Sequence, residues 1–122
     1  MGFSYDPRPS DVDPSRPLIY LWEIRNHQGE VIYRDIGRSI NGAKRPREDY
    51  QRNVENLRRG RPYRPSNQDG FREVHRQLLR ADQEGFGIRL YLLQNVTEEE
   101  IDEAKQVAKE RYLQKPFLPV SE

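Results

Sequence analysis

The sequence predicts one small α/β domain of the α+β kind, in which a three-stranded sheet is flanked by helices. Alternating apolar residues predict two strands joined by a turn in residues 17–39 and a third strand in residues 88–96. Three other segments repeat apolar residues at the spacing of a helix. The predicted order of elements is therefore β-β-α-α-β-α, and a length of 122 residues suits a single domain.

The first two strands form the most clearly patterned part of the chain. One face of the first strand carries Leu18, Tyr20 and Trp22, and the other face carries Ile19 and Leu21. Residues 26–29 have the composition of a turn, and the returning strand runs into Gly37. Because an isolated hairpin is marginally stable in water, the rest of the chain is expected to cover it.

The three helices are predicted from their apolar spacing and from the residues that bound them. The expected bounds are Pro46 to Gly60, Asp69 to Gly85 and Thr97 to Pro116. Thr97 and Glu100 form a capping box that is expected to open the last helix.

Composition limits the domain organisation and the classes of chemistry. Residues 1–16 contain three prolines among Asp and Ser, which predicts a flexible N-terminal arm before a single domain at residues 17–122. The absence of cysteine excludes disulfides, a thiol nucleophile and cysteine-ligated zinc. There is no apolar run of membrane-spanning length and no start of the signal-peptide kind, so we expect a cytoplasmic protein without a membrane partner.

Positive charge is concentrated in one part of the chain. The formal net charge is +1, but residues 34–64 hold ten basic and four acidic side chains, whereas the last 26 residues have a net charge of −3. Of the 21 basic residues 17 are arginine, which matches phosphate geometry and is also favoured by G- and C-rich codons. One interpretation is a solvated helix face; the excess of charge favours a nucleic-acid surface. Its predicted members are Arg34, Arg38, Lys44, Arg47, Arg52, Arg58, Arg59, Arg61 and Arg64.

Three short motifs within residues 17–118 resemble those of the GIY-YIG nuclease superfamily. Leu18-Ile19-Tyr20 is similar to its first motif, and Asp35-Ile36-Gly37 is similar to its second motif with Asp in place of Tyr. Arg45 lies eight residues after Gly37, where the family has its catalytic arginine. The predicted order of strands and helices agrees with this resemblance.

The resemblance implies a divalent-metal-dependent endonuclease that hydrolyses phosphodiester bonds, with DNA as the expected substrate and Mg²⁺ or Mn²⁺ as the ion. Tyr20 would help to deprotonate the attacking water, and Arg45 would hold the scissile phosphate. The family's metal-binding glutamate falls on Val107, so Glu103, one helical turn earlier, is the candidate ligand. Asp35 is the third catalytic candidate, either as a second metal ligand or in an ion pair with a nearby arginine.

Two other hypotheses remain open. Asp35, Val107 and Leu118 depart from the family's pattern, which favours a module that kept the fold and binds nucleic acid or a protein without cleaving. The third is an unrelated small α/β adaptor. A nuclease of this size would need a homodimer or a partner protein to cut both strands of a duplex.

Overall fold

The protein folds as a four-stranded mixed sheet with helices on both faces, so the predicted α+β class is confirmed. The structure is a computed structural model, and it describes residues 3–120. The strands are β1 (Asp6–Pro7), β2 (Leu18–Arg25), β3 (Val31–Ser39) and β4 (Gly87–Asn95). The helices are α1 (Tyr50–Arg58), α2 (Glu73–Glu84) and α3 (Ile101–Tyr112), and a π-helical turn (Arg45–Asp49) leads into α1. The sheet order is β1-β4-β2-β3, with β1 parallel to β4 and the other pairs antiparallel.

The predicted three-stranded sheet is wrong in its strand count, because the N-terminal segment adds β1. Asp6 and Pro7 pair with Arg89 and Leu90 at the outer edge of β4. A proline is tolerated there because an edge strand does not need every N–H group. The same segment buries Phe3, whose ring lies 5.5 Å from that of Trp22. The flexibility expected for residues 1–16 concerns motion and stays a prediction.

The central strand β2 is buried on both faces, because apolar residues occupy both of them. Tyr20 and Trp22 face the apolar cluster that α1 and α2 help to build. Ile19 and Leu21 face a second cluster together with Ile101 of α3. The sheet is therefore a middle layer between two helical layers, and β3 is left as the edge strand on the side opposite β1.

Helices α2 and α3 begin later than the sequence predicts, whereas the π-helical turn that leads into α1 begins at Arg45, next to the predicted start at Pro46. Thr97 Oγ1 accepts a hydrogen bond from the Glu100 N–H group, but this caps a turn and α3 starts only at Ile101. Helix α2 ends as predicted at Gly85, whose φ of 72° is the left-handed conformation that glycine adopts at little cost. Between residues 3 and 120, no helix has the length and apolarity needed to cross a membrane.

Candidate functional site

A pocket of about 410 Å³ lies beside the end of the β2–β3 hairpin. We call it the Tyr20 pocket. The residues that give it its chemistry are Tyr20, Gly37, Arg38, Lys44, Arg45, Asp49, Arg72 and Lys105. They come from two strands, the loop and π-helical turn before α1, the residue before α2, and α3. Five cationic side chains face one carboxylate here, so the pocket favours an anion.

Pairing within the hairpin explains why the second motif carries a glycine. Tyr20 on β2 lies directly opposite Gly37 on β3, and the Tyr20 side chain crosses the glycine. A Cβ atom at residue 37 would lie well inside van der Waals contact with the Tyr20 ring and its hydroxyl. The sequence therefore brings these two motifs together as predicted, with the phenol held at the pocket.

A chain of hydrogen bonds links the Tyr20 hydroxyl to an arginine. Tyr20 Oη donates to Tyr50 Oη at 2.8 Å, and Arg72 Nη2 donates to the same Tyr50 oxygen at 2.6 Å. The Tyr50 hydroxyl therefore joins Tyr20 to Arg72. The charge of the Arg45 guanidinium also acts on Tyr20 and lowers the pKa of its hydroxyl, against the larger effect of burial.

Both phenols are protonated at neutral pH. Burial raises the pKa of Tyr20, and the nearby guanidinium groups of Arg45 and Arg72 offset this only in part. Burial also raises the pKa of Tyr50, to which the neighbouring Tyr20 adds. A neutral phenol donates hydrogen bonds to an anion. The general-base role that the resemblance implies for Tyr20 would need a lower pKa than this environment gives.

Asp35 lies on the same face of the hairpin as Gly37, two residues earlier in β3. Its Oδ2 atom is buried without a hydrogen-bond partner in the described structure. Burial raises the pKa of this carboxyl, while the charges of Arg72, Lys105 and Lys109 lower it. The ion pair expected with Arg38 or Arg45 is absent from residues 3–120, since Arg38 pairs instead with Asp102 at 3.1 Å.

The residues of the pocket do not fit a magnesium or manganese ion. Glu103 is exposed on α3, and Lys105 lines the pocket instead. Between residues 3 and 120 there is no group of three His, Asp or Glu side chains that could hold a metal ion. The ammonium group of Lys105 lies close enough to Asp35 for each to shift the pKa of the other, which leaves a cation where a ligand carboxylate is needed.

The nine predicted nucleic-acid-binding residues lie in different parts of the molecule. Arg38 and Lys44 line the Tyr20 pocket; Arg52, Arg61 and Arg64 line a neighbouring groove together with Lys44; and Arg47 is exposed on the π-helical turn. Arg58 and Arg59 form ion pairs with Glu55, and Arg58 also pairs with Asp82. These last two arginines are thus partly neutralised within the protein.

Arg34 lies away from the pocket. Its side chain is 1% exposed and pairs with the fully buried Glu23, with Nη2 2.9 Å from Oε2. The guanidinium also donates to the backbone oxygen of Tyr112 and lies over the ring of Phe117 at 5.1 Å. This arginine joins β3 to the C-terminal end of α3, where nucleic acid cannot reach it.

Two residues of the site, Arg72 and Lys105, are absent from the sequence prediction. Tyr50, whose place among the arginines predicts a ring that stacks on bases, instead packs in the core and hydrogen-bonds through its hydroxyl to Tyr20 and Arg72. Arg72 precedes α2 and Lys105 lies on α3 behind the edge strand. Only the tertiary fold brings them to Tyr20. The signal available for Tyr50 was its position five residues after Arg45, at the same end of the helix.

His75 is buried next to the site and contacts Arg72 and Tyr50. It is 1% exposed, accepts a hydrogen bond from the Arg72 N–H group at Nδ1, and packs on the rings of Tyr50 and Tyr63. Burial, with the surrounding arginines, lowers its pKa to about 4. The imidazole is therefore neutral across the physiological range, so His75 acts here as a structural hydrogen-bond acceptor.

This buried histidine should make the protein less stable in mild acid. The unfolded chain binds a proton at the ordinary histidine pKa of 6.5, whereas the folded chain binds it only near 4. The stability due to neutral His75 is therefore present above about pH 6.5 and declines by up to about 3 kcal/mol as the pH approaches 4. Asp35 has the opposite effect on the free energy of unfolding. Because its pKa is raised in the folded state, the folded protein binds a proton before the unfolded chain does as the pH falls, and this stabilises the fold in acid.

Urea unfolding at several values from about pH 7 to about pH 4.5 measures this effect. The matched variant is His75→Gln, which keeps a polar side chain and removes the titration. We expect its free energy of unfolding to fall less steeply with acid than that of the wild type. Parallel profiles for the two proteins would contradict the assignment to His75.

Comparisons with known proteins identify no relative. No protein-family model matches this chain, and neither a comparison with curated proteins nor one with solved structures gives a match. The site is therefore interpreted from its own geometry and charge.

Proposed function

We propose that this chain is a nucleic-acid-binding module of GIY-YIG-like type that holds a backbone phosphate in the Tyr20 pocket. The observation that carries the proposal is the convergence of five cationic side chains on a neutral phenol. These are Arg38, Lys44, Arg45, Arg72 and Lys105. The one opposing carboxylate of the pocket, Asp49, already has Arg52 at 3.6 Å and Lys44 at 4.0 Å.

The chemistry of the pocket suits a phosphate better than a carboxylate. Arginine presents a planar fork that matches two phosphate oxygens, and Arg45 and Arg72 enter from different elements. A phosphate offers enough oxygen atoms for these donors at once, whereas a carboxylate offers two.

A polymer is favoured over a small anion because the positive charge continues outside the pocket. The adjoining groove is lined by Arg52, Arg61 and Arg64. A chain of phosphates can contact both surfaces, and each contact releases counterions. Because Lys105 supplies a positive charge beside Asp35, the binding step needs no divalent ion.

The test is fluorescence anisotropy of labelled DNA and RNA oligonucleotides in EDTA, over a range of salt. Arg45→Ala should weaken binding by about 10- to 100-fold, as expected when a hydrogen bond to a charged group is lost. The slope of affinity against salt should fall by about one phosphate contact. The matched control is Arg80→Ala, which removes the same charge from an exposed position on α2 outside the pocket. Equal losses in the two variants, or no binding by the wild type, would contradict the proposal.

A second candidate is phosphodiester cleavage. It is favoured by the position of Tyr20 and Arg45 at one pocket, as the resemblance to GIY-YIG nucleases requires. Incubation of supercoiled plasmid with the wild type and with Arg45→Ala, in EDTA and in Mg²⁺ or Mn²⁺, tests it. Nicking that depends on Arg45 supports the candidate, and intact plasmid under every condition removes it.

A further inference from the structure

A second groove of about 630 Å³ adjoins the Tyr20 pocket, and Lys44 and Asp49 line both. The groove is bounded by α1 and by the loop that follows it, and Arg52, Arg61 and Arg64 supply its charge. Of these three, only Arg52 has an acidic partner within the described residues, and that partner is Asp49. An extended chain of phosphates leaving the pocket would pass directly into this groove.

Tyr63 lines the groove, and its ring lies between a cluster of buried rings and the guanidinium of Arg64. The Tyr63 ring lies 5.4 Å from Phe71 and 5.9 Å from His75, and Gly70 packs closely against it. The guanidinium of Arg64 lies 4.3 Å from the centre of the Tyr63 ring. The ring of Tyr63 is therefore already in contact with protein groups. The flat surface that the groove offers to a ligand is the guanidinium of Arg64, which covers this ring.

Hydrogen bonds fix the plane of this guanidinium. Arg64 Nη1 donates to Asn53 Oδ1 at 3.3 Å and to the backbone oxygen of Tyr63 at 3.1 Å. Asn53 is itself buried and contacts His75. An arginine held in this way loses little side-chain freedom when a flat group stacks on its outer face.

We propose that this groove takes an unpaired nucleotide next to the phosphate in the Tyr20 pocket, with its base stacked on Arg64. The inference rests on the proposed function and names its substrate class as single-stranded nucleic acid. Inside a duplex, the faces of a base are covered by the neighbouring base pairs. A base can therefore lie against a guanidinium only when it is splayed out of the duplex. Arg52 and Arg61 then contact the flanking phosphates.

The test compares three oligonucleotides of about ten nucleotides: a single strand, the same strand in a duplex, and single strands with one abasic position moved along the chain. In the wild type we expect the single strand to bind at least about 10-fold more tightly than the duplex. One abasic position should weaken binding by about 10-fold, and its neighbours should have smaller effects.

Arg64→Lys keeps the charge and removes the planar group. It should lose about 10-fold in affinity for the single strand, change little for the duplex, and become insensitive to the abasic position. Arg80→Lys is the matched control, because it makes the same change at an exposed position of α2 outside the groove and should keep the preference for a single strand. Thermal unfolding of both variants establishes that they are folded.

The outcomes separate this inference from the proposed function. If Arg45→Ala abolishes binding but the duplex binds as well as the single strand, or no abasic position matters, the stacking inference fails and phosphate binding stands. If the wild type binds none of the oligonucleotides, both fail. The abasic scan uses unmodified protein, so it decides the matter even if Arg64→Lys does not fold.

Discussion

Glu23→Gln should lower the free energy of unfolding by about 3–5 kcal/mol. The Glu23 and Arg34 side chains are 0% and 1% exposed, and Arg34 Nε and Nη2 both donate to Glu23 Oε2, at 3.1 and 2.9 Å. The amide in the variant leaves the buried guanidinium without a negative partner. Water cannot compensate the charge of Arg34, because its side chain is 1% exposed and lies against the rings of Tyr112 and Phe117.

An exposed ion pair whose arginine also lies on β3 gives the matched control. Arg38 and Asp102 lie 3.1 Å apart with side chains 42% and 81% exposed, so Asp102→Asn should cost at most about 1 kcal/mol. Urea unfolding of the two variants and the wild type measures the difference. Losses of similar size would show that the Glu23 carboxylate does not compensate a buried charge on Arg34.

The same pair shows what counting charge along a sequence misses. Arg34 lies in the segment 34–64, whose net charge of +6 predicts a nucleic-acid surface. The hairpin register pairs it with Glu23, in a strand whose neighbouring residues are apolar on both faces. An opposite charge at the paired position of a buried strand was the signal for an internal ion pair.

The hairpin itself was predictable because a period of two residues fixes which side chains share a face. The turn places Tyr20 opposite Gly37. Arg45 lies near both because it follows Gly37 by only eight residues. The short strand β1 was not predictable, because two residues of a proline-rich segment carry no periodic pattern. Arg72 and Lys105 were missed because helix packing, which a single sequence does not specify, brings them to the pocket.

Lys105→Glu should lower the affinity for single-stranded nucleic acid in EDTA by about 100-fold or more. The change removes one cation from the Tyr20 pocket and places a negative charge where a phosphate is expected. The loss of a charged hydrogen bond and the new repulsion act together, which makes this a larger effect than a neutral replacement gives. Lys109→Glu is the matched control, since it makes the same change on the exposed surface of α3, outside the pocket lining.

Magnesium should distinguish the variant from the wild type in a second way. The wild type places Lys105 beside Asp35, so added Mg²⁺ should leave its affinity unchanged apart from ordinary screening. In Lys105→Glu a second carboxylate stands beside Asp35, and such oxygen ligands favour Mg²⁺. Added Mg²⁺ should then restore part of the lost affinity, while equal molar amounts of Na⁺ should not. If Mg²⁺ strengthens the wild type as much as the variant, Lys105 does not take the place of a metal ion, and the case for a metal-dependent nuclease becomes stronger.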